Sequence, residues 1–172
     1  MFIWFAVLSA AGVALVFRDP RLDHRLVALG SILPIPLDLL VGAVMGDARR
    51  AGPFHSIVIH VAGLVAVMAG TIGRRARRKQ LLAVSIGGFF HLVLDAAFTN
   101  TTAFLWPFAS GNRGQQQIFN RGWFVNLLLE LGGAAVAMWV VNRAHLRNRS
   151  TRDALMSSGR LEIDLRPRRQ RL

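Results

Sequence analysis

Five apolar stretches, each close to the length of a membrane-spanning helix, divide this 172-residue sequence. They cover about residues 2–17, 26–45, 56–72, 81–98 and 123–141. Because a helix needs roughly 20 mostly apolar residues to cross the hydrocarbon core of a bilayer, each stretch is a candidate transmembrane helix. The sequence therefore predicts an all-α, polytopic membrane protein with a bundle of about five transmembrane helices and a basic tail over residues 142–172.

The second apolar stretch contains residues that disturb a membrane helix. Pro34 and Pro36 have no backbone N–H, and Asp38 adds a carboxyl group to the same stretch. A proline inside a helix removes a hydrogen bond and kinks or breaks the helix. Irregular backbone at membrane depth must be buried or line a cavity. We therefore expect a broken second helix.

The basic residues indicate how the chain is oriented in the membrane. Lys and Arg number three in the first loop, five in the third and nine in the tail, against two in each of the second and fourth loops. The positive-inside rule then predicts an external N-terminus and a cytoplasmic C-terminus. No Lys or Arg precedes the first stretch, which favours an outside-in helix over the alternative, a cleaved signal peptide.

The remaining composition limits the kind of site that the chain can build. Cysteine is absent, which excludes disulfides, thiolate zinc sites and iron–sulfur clusters, so any metal must be held by nitrogen and oxygen. The basic residues that give the chain its net charge of +12 lie between and after the apolar stretches. We expect the basic tail to be disordered or to lie on anionic lipid headgroups, and we expect no nucleic-acid partner.

Ionisable residues gather in the outer half of four predicted helices. They are Asp38, His55, His60, His91, Asp95 and Glu130. On insertion scales, three unpaired carboxylates at this depth would cost about 8 to 10 kcal/mol. No Lys or Arg lies inside the apolar stretches, so protonation or a bound cation must offset that cost. A cation is the more economical answer, because neutral His and ionised carboxylate are both metal ligands.

The spacing and depth of these residues leave more than one possible role for each of them. His91 and Asp95 are four residues apart and share a helix face, as metal ligands or as a hydrogen-bonded pair. His55 is either a ligand or an interfacial histidine, and Asp38 either a ligand or a cap for the backbone freed by the prolines. Glu130 is a ligand, a general base or a protonated helix–helix hydrogen bond.

The other three histidines are less favoured as metal ligands. His60 lies about 140° around the helix from His55, which favours a place in the core or behind a ligand over direct contact with the metal. His24 and His145 fall on the cytoplasmic side of the predicted topology, and we expect both to be solvated.

Four short segments together resemble the YdjM-like family of membrane-bound metal-dependent hydrolases. They are Gly30-Ser31-Ile32-Leu33-Pro34-Ile35-Pro36-Leu37-Asp38, Gly52-Pro53-Phe54-His55-Ser56, His91-Leu92-Val93-Leu94-Asp95 and Phe104-Leu105-Trp106-Pro107-Phe108. The family carries Leu-Pro-Asp-x-Asp, His-Arg-Gly-x-Thr-His-Ser and His-x-x-x-Asp segments and a Leu-Trp-Pro tail in this order. The resemblance covers roughly residues 26–108 and implies a multi-pass protein of the bacterial inner membrane.

The resemblance also implies a ligand set. Asp38, His55, His91 and Asp95 match family positions. Ser56 and His60 are candidates for residues that support these ligands without binding the metal. Two positions depart from the family pattern: Ile35 replaces the first acid, and the upstream histidine of the second segment is missing. The metal then has fewer protein ligands, or Glu130 or His60 substitutes, or the chain keeps the fold without catalysis.

The leading functional hypothesis is a metal-dependent hydrolase acting on a lipid-linked ester or phosphoester at the outer leaflet. The divalent ion is Zn first, with Mn or Mg as alternatives, and Asp95 or Glu130 accepts the proton. Arginines in the outer loops could contact a phosphate. They are Arg113 and Arg121, with Arg49 and Arg50 on the neighbouring loop.

Two other classes of function compete with hydrolysis. One is a non-catalytic membrane subunit or scaffold that packs helices through the small residues 132–135, with another membrane protein or a second copy of the chain as its partner. The other is a proton or ion pathway, which is disfavoured because the intramembrane acids all lie in the outer half. Membrane lipids are expected partners in every case.

Overall fold

A computed structural model describes residues 1–19, 22–45, 52–109 and 122–165 of the chain. Its α-helices are α1 (Phe2–Phe17), α2 (His24–Ile32), α3 (Pro34–Val44), α4 (Ile57–Gly70), α5 (Arg75–Leu94), α6 (Thr101–Phe104), α7 (Gly122–Arg143) and α8 (Arg149–Ser158). Two 3-10 turns, Pro53–His55 and Ala97–Thr99, precede α4 and α6. The described residues contain no strand, and the all-α prediction is confirmed.

The predicted interruption of the second apolar stretch lies between α2 and α3. Leu33 separates the two helices, and Pro34 opens α3. The interruption is mild, because Leu33 keeps right-handed helical dihedral angles and donates its N–H to the carbonyl of Leu29. Prolines at 34 and 36 cannot donate to the carbonyls four residues earlier, so the helix loses hydrogen bonds without reversing direction.

Two segments are long and apolar enough to cross a membrane by length and composition. They are His24–Val44, which joins α2 and α3, and Gly122–Arg143. The apolar helices Phe2–Phe17 and Ile57–Gly70 are shorter, at 16 and 14 residues. Helix α5 has 20 residues but begins with a basic turn. The structure therefore supplies two clear candidate spans, against the five predicted.

The described part of the chain buries several polar side chains and exposes many large apolar ones. Five of its eight largest fully buried side chains are polar, namely Ser9, Ser31, Asp38, Ser56 and His91. Large apolar side chains such as those of Val44, Phe108 and Trp123 are about four-fifths exposed. Soluble proteins bury their large apolar side chains and rarely bury unpaired polar ones. This distribution is the one that a lipid environment favours.

Helices α2 and α5 approach until their backbones touch. A Cβ atom on Gly30 would lie 2.0 Å from the carbonyl oxygen of Val84, and one on Gly87 would lie 2.1 Å from that of Val27. Glycine is required at both positions because any side chain would overlap backbone. Small residues permit this kind of approach between membrane helices.

Helix α1 packs between α2 and α7, and the small residues near position 133 mediate the second contact. A Cβ on Gly133 would lie 2.7 Å from the backbone nitrogen of Trp4, whose ring also covers Gly132. The sequence predicts residues 132–135 as a surface for packing against a partner. Two of these residues, Gly132 and Gly133, instead pack against Trp4 of the same chain.

The described part of the basic tail, residues 142–165, contains a helix and packs on the apolar helices. Helix α8 and the segment after it pack onto α1 and α7, with Ala144 and Leu161 buried among their residues. The expectation that His24 is solvated was wrong. His24 is buried, and its Nδ1 and backbone N–H both donate to the carbonyl of Gly159 at 3.0 Å. His145 is exposed, as expected.

An ion pair at the start of α2 accompanies this contact. Asp23 caps α2 by accepting from the backbone N–H of Arg25, and its two carboxylate oxygens accept from the Arg25 guanidinium at 3.0 and 2.8 Å. The hydrogen bond from Arg25 holds the pKa of the Asp23 carboxyl below its ordinary value. Gly159, with a φ of 69°, lies directly against Asp23.

Substitution at the helix contact provides a test of this packing. Gly87→Ala is expected to lower the free energy of unfolding by about 1–3 kcal/mol, because the added methyl overlaps the Val27 carbonyl. Thermal unfolding of the detergent-solubilised protein measures the change.

Gly63→Ala on α4 is the matched control, because nothing lies within 4 Å of a Cβ at that position. Alanine has the higher helix propensity, so this variant should equal or slightly exceed the parent protein in stability. Equal melting temperatures for the two variants would contradict the proposed backbone contact.

Candidate metal centre

His55 is held from behind by a buried carboxylate. The side chain of Asp38 is fully buried; its Oδ1 accepts from the backbone N–H of Phe54 at 2.8 Å, and its Oδ2 accepts from His55 Nδ1. The 3-10 turn Pro53–His55 brings the imidazole to α3, and Gly52 leaves room for the carboxylate. Since Nδ1 carries the proton in this arrangement, Nε2 of the neutral ring presents its lone pair.

His91 is oriented in the same way by a different acceptor. It is fully buried on α5, and its Nδ1 lies 2.7 Å from the carbonyl oxygen of Ser31 on α2. A carbonyl only accepts, so Nδ1 donates and Nε2 points away from α2. The ring of Phe5 packs against the imidazole with centroids 4.3 Å apart.

The two oriented histidines face each other beside a carboxylate. The Nε2 atoms of His55 and His91 are 3.2 Å apart, and Asp95 Oδ2 lies 3.7 Å from His55 Nε2. One potential ligand atom from each of the three residues lies within 4.8 Å of the others. Asp95 ends α5 and is about a quarter exposed, so the cluster opens to the outside along its side chain.

Asp38 was predicted as a ligand from its match to the family segment. The structure brings it to the cluster but places it behind His55, with both carboxylate oxygens engaged by Phe54 and His55. Its position is that of an orienting carboxylate, which fixes the tautomer and direction of a ligand histidine.

Ser56 and His60 lie close to the centre without joining the three-residue group. Ser56 Oγ caps α4 by accepting from Val58 N–H, and it lies within hydrogen-bond distance of the carbonyls of Phe104 and Trp106. His60 Nδ1 donates to the Ser56 carbonyl at 3.0 Å. Both residues therefore organise the entrance to α4 behind His55.

Glu130, predicted as a possible proton acceptor at the metal centre, has its carboxylate at the start of α1. Its Oε2 accepts from the backbone N–H groups of Ile3 and Trp4, and its Oε1 pairs with the amino terminus at 2.5 Å. The carboxylate thus satisfies the first turn of α1, where a helix favours negative charge. The predicted phosphate contacts, Arg113 and Arg121, lie outside the described residues, as do Arg49 and Arg50.

Sequence reasoning missed the backbone groups that orient the site. The Ser31 carbonyl holds His91, and the carbonyls of Phe104 and Trp106 hold Ser56. A carbonyl is present at every residue, so no sequence signal distinguishes these three. The terminal amine that meets Glu130 was overlooked for a similar reason, since it belongs to no side chain.

Ser56→Ala is expected to cost about 1 kcal/mol of stability, because it removes the cap of α4 and the link to the Phe104 and Trp106 carbonyls. Ser85→Ala is the control, since Ser85 Oγ only bonds back to the Leu81 carbonyl of its own helix. Thermal unfolding compares the two. A Ser56 variant as stable as the Ser85 variant would show that the cap contributes nothing.

Comparison with known proteins adds one match. A family model described as YdjM inner membrane protein matches residues 3–154, which is most of the chain. Neither the search of curated proteins nor the search of solved structures returned a match. The resemblance drawn from the four short segments is confirmed as to family, and metal-dependent hydrolysis stays a prediction.

Proposed function

The chain belongs to the YdjM inner membrane protein family, and from that premise we propose that it binds a divalent metal ion through His55, His91 and Asp95 and hydrolyses a lipid-linked ester or phosphoester. Asp38 orients His55, and the Ser31 carbonyl orients His91. The substrate is processed at the outer face of the membrane.

The facing Nε2 atoms are the observation that carries the proposal. Each histidine donates its Nδ1 proton to an oxygen, so two lone pairs meet at 3.2 Å with no hydrogen between them in the neutral rings. Such an arrangement is repulsive unless a cation lies between the nitrogens. Two nitrogens bound to one tetrahedral zinc, at about 2.0–2.1 Å each, are roughly 3.3 Å apart.

The donor set favours zinc. Two imidazoles and a carboxylate are the ligands of several catalytic zinc sites, which keep a fourth position for water or substrate. Manganese is the alternative, and magnesium fits least, because it prefers oxygen ligands. The partial exposure of Asp95 is consistent with a site that is open on one side.

The proposed topology has five membrane crossings, with the N-terminus outside and the C-terminus in the cytoplasm. Support comes from the apolar exterior of the short helices as well as the long ones: Val65 on α4 and Val93 on α5 are both more than half exposed. The charge distribution of the loops sets the orientation. His55 and Asp95 then lie toward the external side.

Hydrolysis needs an activated water and a proton acceptor. Zinc bound at this centre would lower the pKa of a bound water to about 7 and polarise the scissile group. The two histidines would hold the ion, and their buried hydrogen bonds keep both rings in one orientation. Asp95 is the described carboxylate beside Nε2 of His55; one of its oxygens would bind the ion and the other would accept the proton from the water, while Glu130 is held at the start of α1.

A second candidate function is a non-catalytic membrane subunit that keeps the same fold. The observation in its favour is Ile35, which stands in place of the family's first acid and is 3% exposed in the apolar interior. The site then has one acid fewer than the family pattern supplies. Metal binding without turnover would be the signature of this alternative.

Metal content tests the centre directly. The purified protein is expected to contain about one equivalent of zinc per chain by elemental analysis, and His55→Ala and His91→Ala should each lose it. Asp38→Asn should retain zinc with affinity reduced about 10–100-fold, because it disturbs orientation without removing a ligand.

His145→Ala is the matched control, since that histidine is exposed at the other end of the chain. It should keep the full metal content. Metal-free wild-type protein that also binds no zinc on titration would show instead that the histidine pair is joined by a proton, and the metal proposal would fail.

Hydrolysis is tested with the zinc-loaded protein in lipid vesicles containing a phospholipid or a prenyl phosphate. We expect release of the cleaved group, a loss of at least about 100-fold in Asp95→Asn, and unchanged turnover in His145→Ala. Stoichiometric zinc with no turnover of any lipid ester would favour the non-catalytic subunit.

A further inference from the structure

A groove lies along α1, and none of the three candidate metal ligands is among its lining residues. Helices α2 and α7 both pack on α1, and the space between them encloses about 260 Å³. The floor and walls are formed by small aliphatic residues, namely Ala6, Val7, Ala10, Ala28, Ala137 and Val140. Four alanines among these residues leave room that larger side chains would fill.

The C-terminal segment closes one end of the groove. Leu146, Leu155 and Leu161 lie across it, and the Arg25 side chain borders it from α2. Arg25 is tied to the same segment by a hydrogen bond from its guanidinium to the Met156 carbonyl. The C-terminal segment therefore contacts α2 as well as α1 and α7.

Charge accompanies this closed end. Residues 143–152, which include Leu146 of the groove wall, carry four arginines and no acid. Arg147, Arg149 and Arg152 are exposed. An amphipathic segment of this kind, with leucine turned inward and arginine outward, attracts anionic headgroups at a membrane surface.

The volume and lining of the groove indicate which of three occupants it can hold: a helix, water or a hydrocarbon chain. A helix from a second protein is about 10–12 Å across, far wider than a space of about 260 Å³ admits. His24 and Arg25 also line the groove, but Nδ1 of His24 bonds the Gly159 carbonyl, and the Arg25 guanidinium bonds Asp23 and the Met156 carbonyl. Water is therefore disfavoured, because the rest of the lining offers it few hydrogen-bonding partners. A single hydrocarbon chain fits the volume and the apolar lining.

We propose that this groove binds one acyl chain of an anionic phospholipid, whose phosphate lies over the arginines of residues 143–152. The site is independent of the metal centre and of any hydrolysis there. The lipid contacts α1, α2 and α7 together with the C-terminal segment, so it holds the segment against the helices.

Native mass spectrometry of the full chain, with phosphatidylglycerol or phosphatidylcholine of equal chain length, tests the proposal. Wild-type protein is expected to retain one phosphatidylglycerol in preference to phosphatidylcholine. Ala10→Leu and Ala137→Leu, which fill the groove from different helices, should each reduce retention at least about tenfold. Ala62→Leu on the exposed face of α4 is the control and should leave retention unchanged.

The headgroup contact is tested separately. Arg149→Gln and Arg152→Gln are expected to lower the preference for phosphatidylglycerol roughly fivefold each, without changing retention of phosphatidylcholine. An equal affinity of wild-type protein for the two lipids would overturn the assignment of an anionic headgroup.

A measurement on the unmodified chain covers the case in which a filled groove prevents folding. Phosphatidylglycerol carrying a diazirine in its acyl chain, at one equivalent in detergent, should label peptides that contain Ala6, Ala10, Ala28 or Ala137. Labelling spread evenly over these peptides and those of α4, or equal retention by Ala10→Leu and Ala62→Leu, would overturn the proposal.

Discussion

The backbone contact between α2 and α5 is the constraint on which the rest of the site depends. Gly30 and Gly87 have no side chains, so the two helices meet at a separation that no other residue pair would allow. That separation brings His91 within 2.7 Å of the Ser31 carbonyl. A larger side chain at Gly30 or Gly87 would push the two helices apart. The His91 imidazole would then move away from the Ser31 carbonyl, and its buried N–H would lose its acceptor.

The tautomer and orientation of His55 and His91 are set by the groups that accept their Nδ1 protons. Without an acceptor at Nδ1, each ring could rotate and exchange tautomers. The buried Asp38 carboxylate and the Ser31 carbonyl remove that freedom for His55 and His91 respectively. In a surrounding of low dielectric constant these hydrogen bonds are stronger than in water, and two lone pairs are held toward one point.

Hydrogen bonds and an ion pair explain how the chain accommodates the buried Asp38 and the partly exposed Glu130. Asp38 is offset by an N–H group and an imidazole, and Glu130 by the first turn of α1 and the terminal amine. Ile35, at the position where the family resemblance suggests an acid, is an apolar side chain that is 3% exposed.

The sequence by itself determined the apolar helices, because apolar stretches, prolines and caps act locally. These helices begin and end within a few residues of the five predicted stretches, except that α5 starts earlier and includes the basic turn. The short helix α6 and the tail helix α8 were not predicted. Residue types and depth also put His55, His91 and Asp95 among the candidate ligands, and the structure brings one ligand atom of each within 4.8 Å of the others. Only tertiary structure decided that Asp38 stands behind His55, that Glu130 serves α1, and that the tail packs over His24. Those outcomes depend on backbone carbonyls, terminal charge and helix separation, which residue identity does not encode locally.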